Sequence, residues 1–373
     1  MPASMIPMKS MWKRRLALCA DWTLSRLAPL LLAGIPKGPL PHNPRVLLIR
    51  CDHIGDAVMA TAVLQALRTA LHPTCLDVLA APWAAPLFRH QRSVDRVITY
   101  GPPWWAAVRE GETGDGWRAL PGAIREIRRG AYDVGIDLRG DLRHILFFLV
   151  LGRIPERVAP DRTGGAALLT RAWHYVPGLH EVEKNAAVVR LLGAEGPPAL
   201  DLPDPGPVPA PLQAALARAA GPRGLLVLAL GSHNPPNLWP VAHAARLAEL
   251  AAERLGLGTV FIGGTGDRKQ GDAIRAASHA PVQNLAGETT LLESLAVFKQ
   301  AAAIVTVDSG PMHLAAASGP PLVALFGPSD PRLTGPWAPA AGGRVRVVRA
   351  AGERMASIEA EQVVEELREV LTP

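Results

Sequence analysis

The stretch Ala303–Leu325, AIVTVDSGPMHLAAASGPPLVAL, decides the fold. Ala303–Val307 is a short apolar, partly β-branched run, the composition of a buried strand. Asp308-Ser309-Gly310 breaks it. Pro311 suits the first helical position, where a missing N–H costs nothing. Met312–Ser318 is a small-residue helix closed by Gly319-Pro320-Pro321, and an apolar strand follows. Backbone N–H groups of Gly310, Met312 and His313 at such a helix start, flanked by the Ser309 and His313 side chains, form an anion site suited to phosphate. The competing reading is an ordinary βα turn capped by Asp308 or Ser309.

The same alternation extends upstream. Gly224–Leu230 reads as a strand, Gly231–Pro240 as a long polar loop and Val241–Leu255 as a helix. Thr259–Ile262 is a strand, followed by the loop Gly263–Asp267 and a helix to Ser278; Val282–Leu285 and helix Leu291–Gln300 lead into the opening stretch. The first half repeats the pattern. Arg45–Arg50 (RVLLIR) is a buried strand, Cys51–Gly55 a loop, and a helix starts near Asp56 and runs through Leu71. Leu76–Leu79, Val94–Thr99, Tyr132–Ile136 and Ile154–Val158 are further strands, with helices over Arg118–Arg129, Leu142–Leu151 and Glu181–Leu192. Strands alternating with helices twice over imply an α/β protein of two doubly wound parallel sheets. The Pro-, Gly- and Ala-rich residues 196–222 are the expected linker between domains at 45–195 and 223–350, and 351–373 form a C-terminal helix.

Ligands of open α/β sheets bind at the carboxyl ends of the strands. Asp56 lies there, after the first strand, as either a helix-capping carboxylate or a site acid. Arg139 and Arg143 lie after the fourth strand, as either a solvated basic rim or partners of an anionic acceptor.

Bulk properties narrow the classes. The 373 residues are 49% apolar, enough for two buried cores. Net charge is +6 and the isoelectric point about 9.6, which favours anionic partners. Aromatics are only 5% and no basic run interleaves with them, so nucleic acid is not an expected partner. Cys19, Cys51 and Cys75 form no C-x-x-C, which fits a reducing cytoplasmic setting and suggests neither disulfides nor zinc. There is no P-loop. Lys269 stands where a dinucleotide fingerprint begun by Gly264-Thr265-Gly266 needs glycine, and Val307 replaces the first glycine of a serine-hydrolase elbow.

Residues 1–44 stand apart. Lys9, Lys13, Arg14 and Arg15 precede an apolar stretch in which Trp12, Leu16, Cys19, Thr23, Leu27 and Leu30 share one helical stripe. Asp21 and Arg26 interrupt it, so a membrane-spanning helix is not expected. A basic amphipathic helix on the anionic inner leaflet is one reading, and a helix packed on the protein's own body is the other.

Three blocks coincide: RVLLIRCDHIGDAVMATAVLQAL (45–67), LGSHNPPNLWPVAHAARLAELAAE (230–253) with FIGGTGD (261–267), and VDSGPMHLAAASGPPLVALFGPSDP (307–331). Together they resemble glycosyltransferase family 9, the bacterial heptosyltransferases of lipopolysaccharide core synthesis. The resemblance implies a GT-B architecture with the acceptor on the first domain and the nucleotide-sugar donor on the second. It implies inverting transfer from ADP-heptose to a Kdo–lipid A type acceptor at the inner membrane, with no metal and no cofactor besides the donor. The family's general base falls on Asp56. Its donor contacts fall on Ser232, Asp308, Ser309, Gly310, Met312 and His313, with Asp267 toward the ribose. One departure stands out. The family's diphosphate-contacting Lys, two positions before Trp-Pro, is Asn237 here, so His233 or Arg268 substitutes for it, or the donor differs, or the chain binds nucleotide sugar without turnover.

Overall fold

The structure, a computed structural model, describes residues 11–104, 115–338 and 344–372. The chain forms two compact units that divide between Pro203 and Asp204. The first holds β1 Arg45–Arg50, β2 Cys75–Ala80, β3 Arg96–Thr99, β4 Val134–Asp137, β5 Glu156–Pro160 and β6 Arg171–Trp173. They form one parallel sheet in the order β3-β2-β1-β4-β5-β6. β1 is central, with Val46 in register with Leu76 on one side and Val134 on the other. Five of its six residues are buried, because both faces of a parallel sheet are covered by helices; hence the unbroken apolar run in RVLLIR.

The second unit holds β7 Leu225–Ala229, β8 Gly258–Phe261, β9 Val282–Asn284, β10 Ala303–Val307, β11 Leu322–Phe326 and β12 Val345–Arg349. Their order is β12-β11-β10-β7-β8-β9, all parallel. Counted from the first strand of each unit, the two sheets share one winding order. Its reversal falls between β1 and β4 in the first unit and between β7 and β10 in the second. These are the switch points at which doubly wound folds bind ligands.

Several expectations are refined. Residues 196–222 are not all linker: Ala210–Ala219 is a helix packed on β8 and β9. The C-terminal helix Ala360–Leu371 belongs to the second unit's core through Val363, Val364, Leu367 and Val370. The helix expected from Asp56 to Leu71 begins earlier and is in three parts, Ile54–Ala60, a 3₁₀ turn Thr61–Val63, and Leu64–Leu71. The Thr61 hydroxyl donates to the Val58 carbonyl (2.7 Å) and competes with the regular ladder at the junction. Residues 54–71 are long and apolar enough to cross a membrane, yet most of the segment is buried in the protein. Leu142–Leu151 is a single α-turn, Leu142–His144, running into a π-helix, Ile145–Val150. That winding carries Phe148 into the core, 5.9 Å from Tyr100 and 5.4 Å from His144 between ring centroids. The edge strands β6 and β12 were not expected. Their Arg-interrupted sequences (RAW, VRVVR) lack the apolar run of a central strand, as suits sheet edges.

Gly258 at the start of β8 is required by close approach rather than by a turn. A Cβ there would lie 1.7 Å from the carbonyl oxygen of Ala219. Gly258→Ala is expected to destabilise the protein by about 1–3 kcal/mol. Gly266→Ala, at a site open to solvent, leaves the urea midpoint unchanged. Equal midpoints for the two variants would contradict this packing.

Candidate active site

In the first unit the site grows from the end of β1. Arg50 is the last strand residue and is fully buried. A buried guanidinium needs counter-charges, and three segments supply them. Asp52 in the following loop lies 3.0 Å from Nε, Asp56 2.8 Å from Nη2, and Glu181 3.4 Å from the same nitrogen. Asp56 is in the first turn of helix Ile54–Ala60, and Glu181 opens helix Glu181–Arg190, so both carboxylates sit at positive helix ends. Arg139, after β4, reaches Asp52 at 3.4 Å and Asp56 at 3.7 Å. Lys184 pairs with the second oxygen of Glu181 at 3.3 Å.

The loop bearing Arg139 is shaped by Asp137, whose carboxylate accepts the amides of Gly140 (2.8 Å) and Asp141 (3.2 Å) and meets His144 Nδ1 at 3.1 Å. Gly140 is left-handed, and a Cβ there would lie 2.4 Å from the Pro160 carbonyl, so the turn admits only glycine. Burial works against the Arg50 charge, but the carboxylates outweigh it and hold the proton more tightly than usual. Burial likewise pushes Glu181 up, yet Arg50 and Lys184 prevail and its pKa lies below the ordinary value. Asp52 is buried completely, and there desolvation wins: its pKa is raised. The Asp52 side chain is 0% exposed and that of Asp56 14%, so of these two Asp56 is the one a substrate can reach.

In the second unit the loops after β7 and β10 meet. Asn237 donates through Nδ2 to the main-chain carbonyl of Asp308 (3.0 Å) and to its carboxylate (3.2 Å). The Ser232 hydroxyl lies 3.5 Å from the same carbonyl. Burial raises the Asp308 pKa, opposed by hydrogen bonds from Ser329 and Asn237. Helix Gly310–Ser318 begins directly after, capped by the extended backbone of Ser309. Asp267, after β8, accepts the Gly264 amide at 2.8 Å and packs against Gly231, where a Cβ would lie 2.4 Å from its carboxylate. Among the described residues no three His, Cys, Asp or Glu side chains come together as a metal site.

A family model described as glycosyltransferase family 9 (heptosyltransferase) matches residues 122–366. The chain belongs to glycosyltransferase family 9. It is 31% identical over 314 residues to lipopolysaccharide heptosyltransferase 2 of Salmonella typhimurium, a match covering 78% of this chain and 85% of that protein. Among solved structures, E. coli ADP-heptose lps heptosyltransferase II is similar at a TM-score of 0.70 and 26% identity, over 87% of this chain and 98% of that one. E. coli heptosyltransferase WaaC with ADP shares the fold at a TM-score of 0.68 and 21% identity, over 87% and 99% of the two chains. The two doubly wound units are those of the GT-B architecture, and this chain is a glycosyltransferase.

The expected site residues of this family 9 enzyme follow the switch-point strands of their own units, except Asp267, which follows β8, and several need correction. Arg139 is not an open basic rim; it is committed to Asp52 and Asp56. Arg143 is held by its neighbour Asp141 (2.6 Å) and lies over the Trp104 ring at 5.0 Å. The Met312 amide is not free for a ligand, because it donates to the Ser309 carbonyl at 3.1 Å, and the Met312 side chain is in the core. Ser309 does not cap with its hydroxyl, which donates to Val307 instead. His313 is buried, and Asp267 is engaged with the Gly263-Gly264 turn. Of the two substitutes for the missing lysine, Arg268 is paired with Glu288 at 3.3 Å, while His233 is exposed. Arg50, Glu181 and Lys184 were not expected around Asp56. Their one sequence signal is a charge closing an otherwise apolar strand, at Arg50.

Arg50→Met removes the cation shared by three buried or part-buried carboxylates. A loss of about 3–5 kcal/mol at neutral pH is expected. The sign follows from Glu181. Its folded pKa is depressed, so its stabilisation is complete above the ordinary carboxylate value and is lost as pH falls through the folded one. The gap between wild type and Arg50→Met in urea unfolding therefore narrows on acidification. A gap that is absent at pH 7 counts against this network.

Proposed function

We propose that this glycosyltransferase moves a heptose from ADP-heptose onto the core sugar of a Kdo–lipid A type acceptor, inverting the anomeric carbon, with Asp56 as general base. The lipopolysaccharide heptosyltransferase relatives support the donor and acceptor classes. The observation that carries the base assignment is Asp56 itself. It is a reachable carboxylate at the switch point of the first sheet, in a helix's first turn, oriented by two guanidiniums on one oxygen.

In this reading the acceptor hydroxyl attacks the anomeric carbon while its proton passes to Asp56. The bond from that carbon to the diphosphate breaks through an oxocarbenium-like state, and ADP leaves with the electron pair. The leaving group needs hydrogen-bond donors and positive potential. The Ser309 and Gly310 amides, the dipole of helix Gly310–Ser318 and the Ser232 hydroxyl supply them, and no metal takes part. Asp56→Asn is expected to lower kcat by roughly 10²–10⁴. ADP affinity by calorimetry stays within about twofold, since the donor residues are unaltered. Full turnover by Asp56→Asn removes the base assignment.

Asn237 favours a second reading, in which the donor is another nucleotide sugar. A neutral amide, hydrogen-bonded to Asp308, stands where the family places a cation. A donor panel separates the two: consumption of another nucleotide sugar with ADP-heptose left intact selects the second.

We also infer that the enzyme works on the inner face of the cytoplasmic membrane. Helix Met11–Leu31 packs against the turn Ala166–Leu168, with Ala28 and Leu31 facing the first unit's core. Its other side leaves Trp22 60% and Leu30 73% exposed, with Arg26 stacked on Trp22 at 4.2 Å. Both alternatives for this helix therefore have support: it rests on the body and still presents apolar surface. Of the expected stripe, Leu27 is exposed as well, and the side chains of Trp12, Leu16 and Cys19 lie outside the described residues. Trp22→Glu with Leu30→Glu is expected to abolish sedimentation with anionic vesicles while kcat on a detergent-solubilised acceptor is kept. Undiminished sedimentation removes the membrane assignment.

A further inference from the structure

The loop Asp161–Gly165 leaves β5 at the same end of the first sheet as Asp56. It carries Arg162, whose surroundings differ from those of the other cations there. Arg50, Arg139 and Lys184 each have a carboxylate within 4.0 Å. Arg162 has none among the described residues; its guanidinium lies over the Tyr175 ring, 5.3 Å from the centroid. Lys184 Nζ is 5.1 Å from the same centroid. The adjacent Asp161 is turned to the Tyr175 amide and His174 Nδ1, both at 2.9 Å, and makes no ion pair with Arg162. Arg162 thus stands near Asp56 with Arg50, Arg139 and Lys184, without a carboxylate in contact, and Glu181 and Asp56 act on it only at longer range. Burial and the nearby Arg139 both work against the Arg162 charge and hold its pKa below the usual guanidinium value.

The loop is fixed in place. Gly164 and Gly165 are left-handed, and the Gly165 amide donates to Asp21 of the N-terminal helix at 2.5 Å. A Cβ on Gly164 would lie 2.8 Å from the same carboxylate. A guanidinium with no carboxylate in contact, on a braced loop, stacked on an aromatic ring and half-buried, is built to receive an anion through its planar fork of N–H groups.

We propose that Arg162, backed by Arg139 and Lys184, binds an anionic substituent of the acceptor, a phosphate monoester or a sugar carboxylate, and so sets acceptor specificity. The proposal rests on the glycosyl-transfer reading above and replaces Arg143 as the anion-contacting residue of this unit.

The test is steady-state kinetics of the full-length enzyme with saturating ADP-heptose and three acceptors: intact, dephosphorylated, and with its sugar carboxylate reduced. Arg162→Gln is expected to raise the KM for the intact acceptor on the order of ten- to a hundredfold, the size of a lost charge-assisted hydrogen bond. kcat and donor KM stay within about twofold, and Arg162→Lys recovers part of the loss. Wild type weakens by a similar factor on the acceptor lacking the recognised anion, whereas Arg162→Gln treats that acceptor and the intact one alike; which acceptor it is names the anion. An unchanged acceptor KM in Arg162→Gln, a fall in kcat alone, or an equal loss on all three acceptors overturns the proposal. Binding of the intact acceptor to wild type and Arg162→Gln without donor makes the test independent of the donor sugar. A wild type inert with ADP-heptose but discriminated from Arg162→Gln in binding defeats the heptose reading and keeps this one.

Discussion

A single buried guanidinium organises the first unit. Taking Arg50 out of water costs several kcal/mol, recovered only if carboxylates meet it with good geometry. The three that do come from the loop after β1, the first turn of the next helix, and a helix start 131 positions along the chain. The ion network therefore forms only when the sheet is complete and the distant helix has docked. Once formed, it aims Asp56, because the same guanidinium that needs the carboxylate also limits where it can point. Arg139 adds a second constraint from across the switch point, and its own position is set by Asp137 and the Gly140 turn.

The second unit solves the same topological problem with different chemistry. Where the first ties the loop after its first strand to the loop after its fourth by the ion pair Asp52–Arg139, the second ties the corresponding loops by Asn237 and Ser232 on Asp308. The winding order is shared and so is the place of the tie, but one is ionic and the other is a neutral amide on a buried acid. A lysine at 237 would make the second tie ionic as well. With asparagine, the acid has no counter-charge from this position; burial raises its pKa, and the hydrogen bonds from Ser329 and Asn237 only partly oppose that. In the proposed transfer, a leaving diphosphate would then rely on backbone amides and the helix dipole.

The central strands were legible because a strand buried on both faces must be apolar throughout; Ala303–Val307 matches β10 residue for residue. From strand order alone, Asp56, Asp308 and Ser232 could be placed at strand ends. The edge strands β6 and β12 were not legible, since RAW and VRVVR carry the charges that protect an edge and hide the strand. Nor was the network around Asp56, because the Arg50–Glu181 pair spans 131 positions and leaves no local trace. Arg139 and Arg143 read alike in the sequence and differ in the structure. Arg143 sits two residues from Asp141, an acid that both caps the turn and takes the guanidinium. Arg139 meets its acids only through the sheet. The helix tip at Gly310 offers fewer amides than its sequence suggests, as Pro311 has none and Met312 uses its own on Ser309.

The N-terminal helix shows how one segment can satisfy two demands that looked exclusive. Helical periodicity gave a single apolar stripe, and a helix with one such stripe buries it either in its own protein or in a membrane. Here the contact with the body is made by the opposite side, through Ala28, Leu31 and the carboxylate of Asp21, the residue that broke the stripe in the sequence. The acid is not a defect in a membrane helix. It accepts a backbone amide of the loop that presents Arg162, so the segment left with an exposed apolar side also braces a loop at the carboxyl end of the first sheet. The exposed apolar side of this helix and the loop that carries Arg162 thus share one support, and the position of each constrains the other.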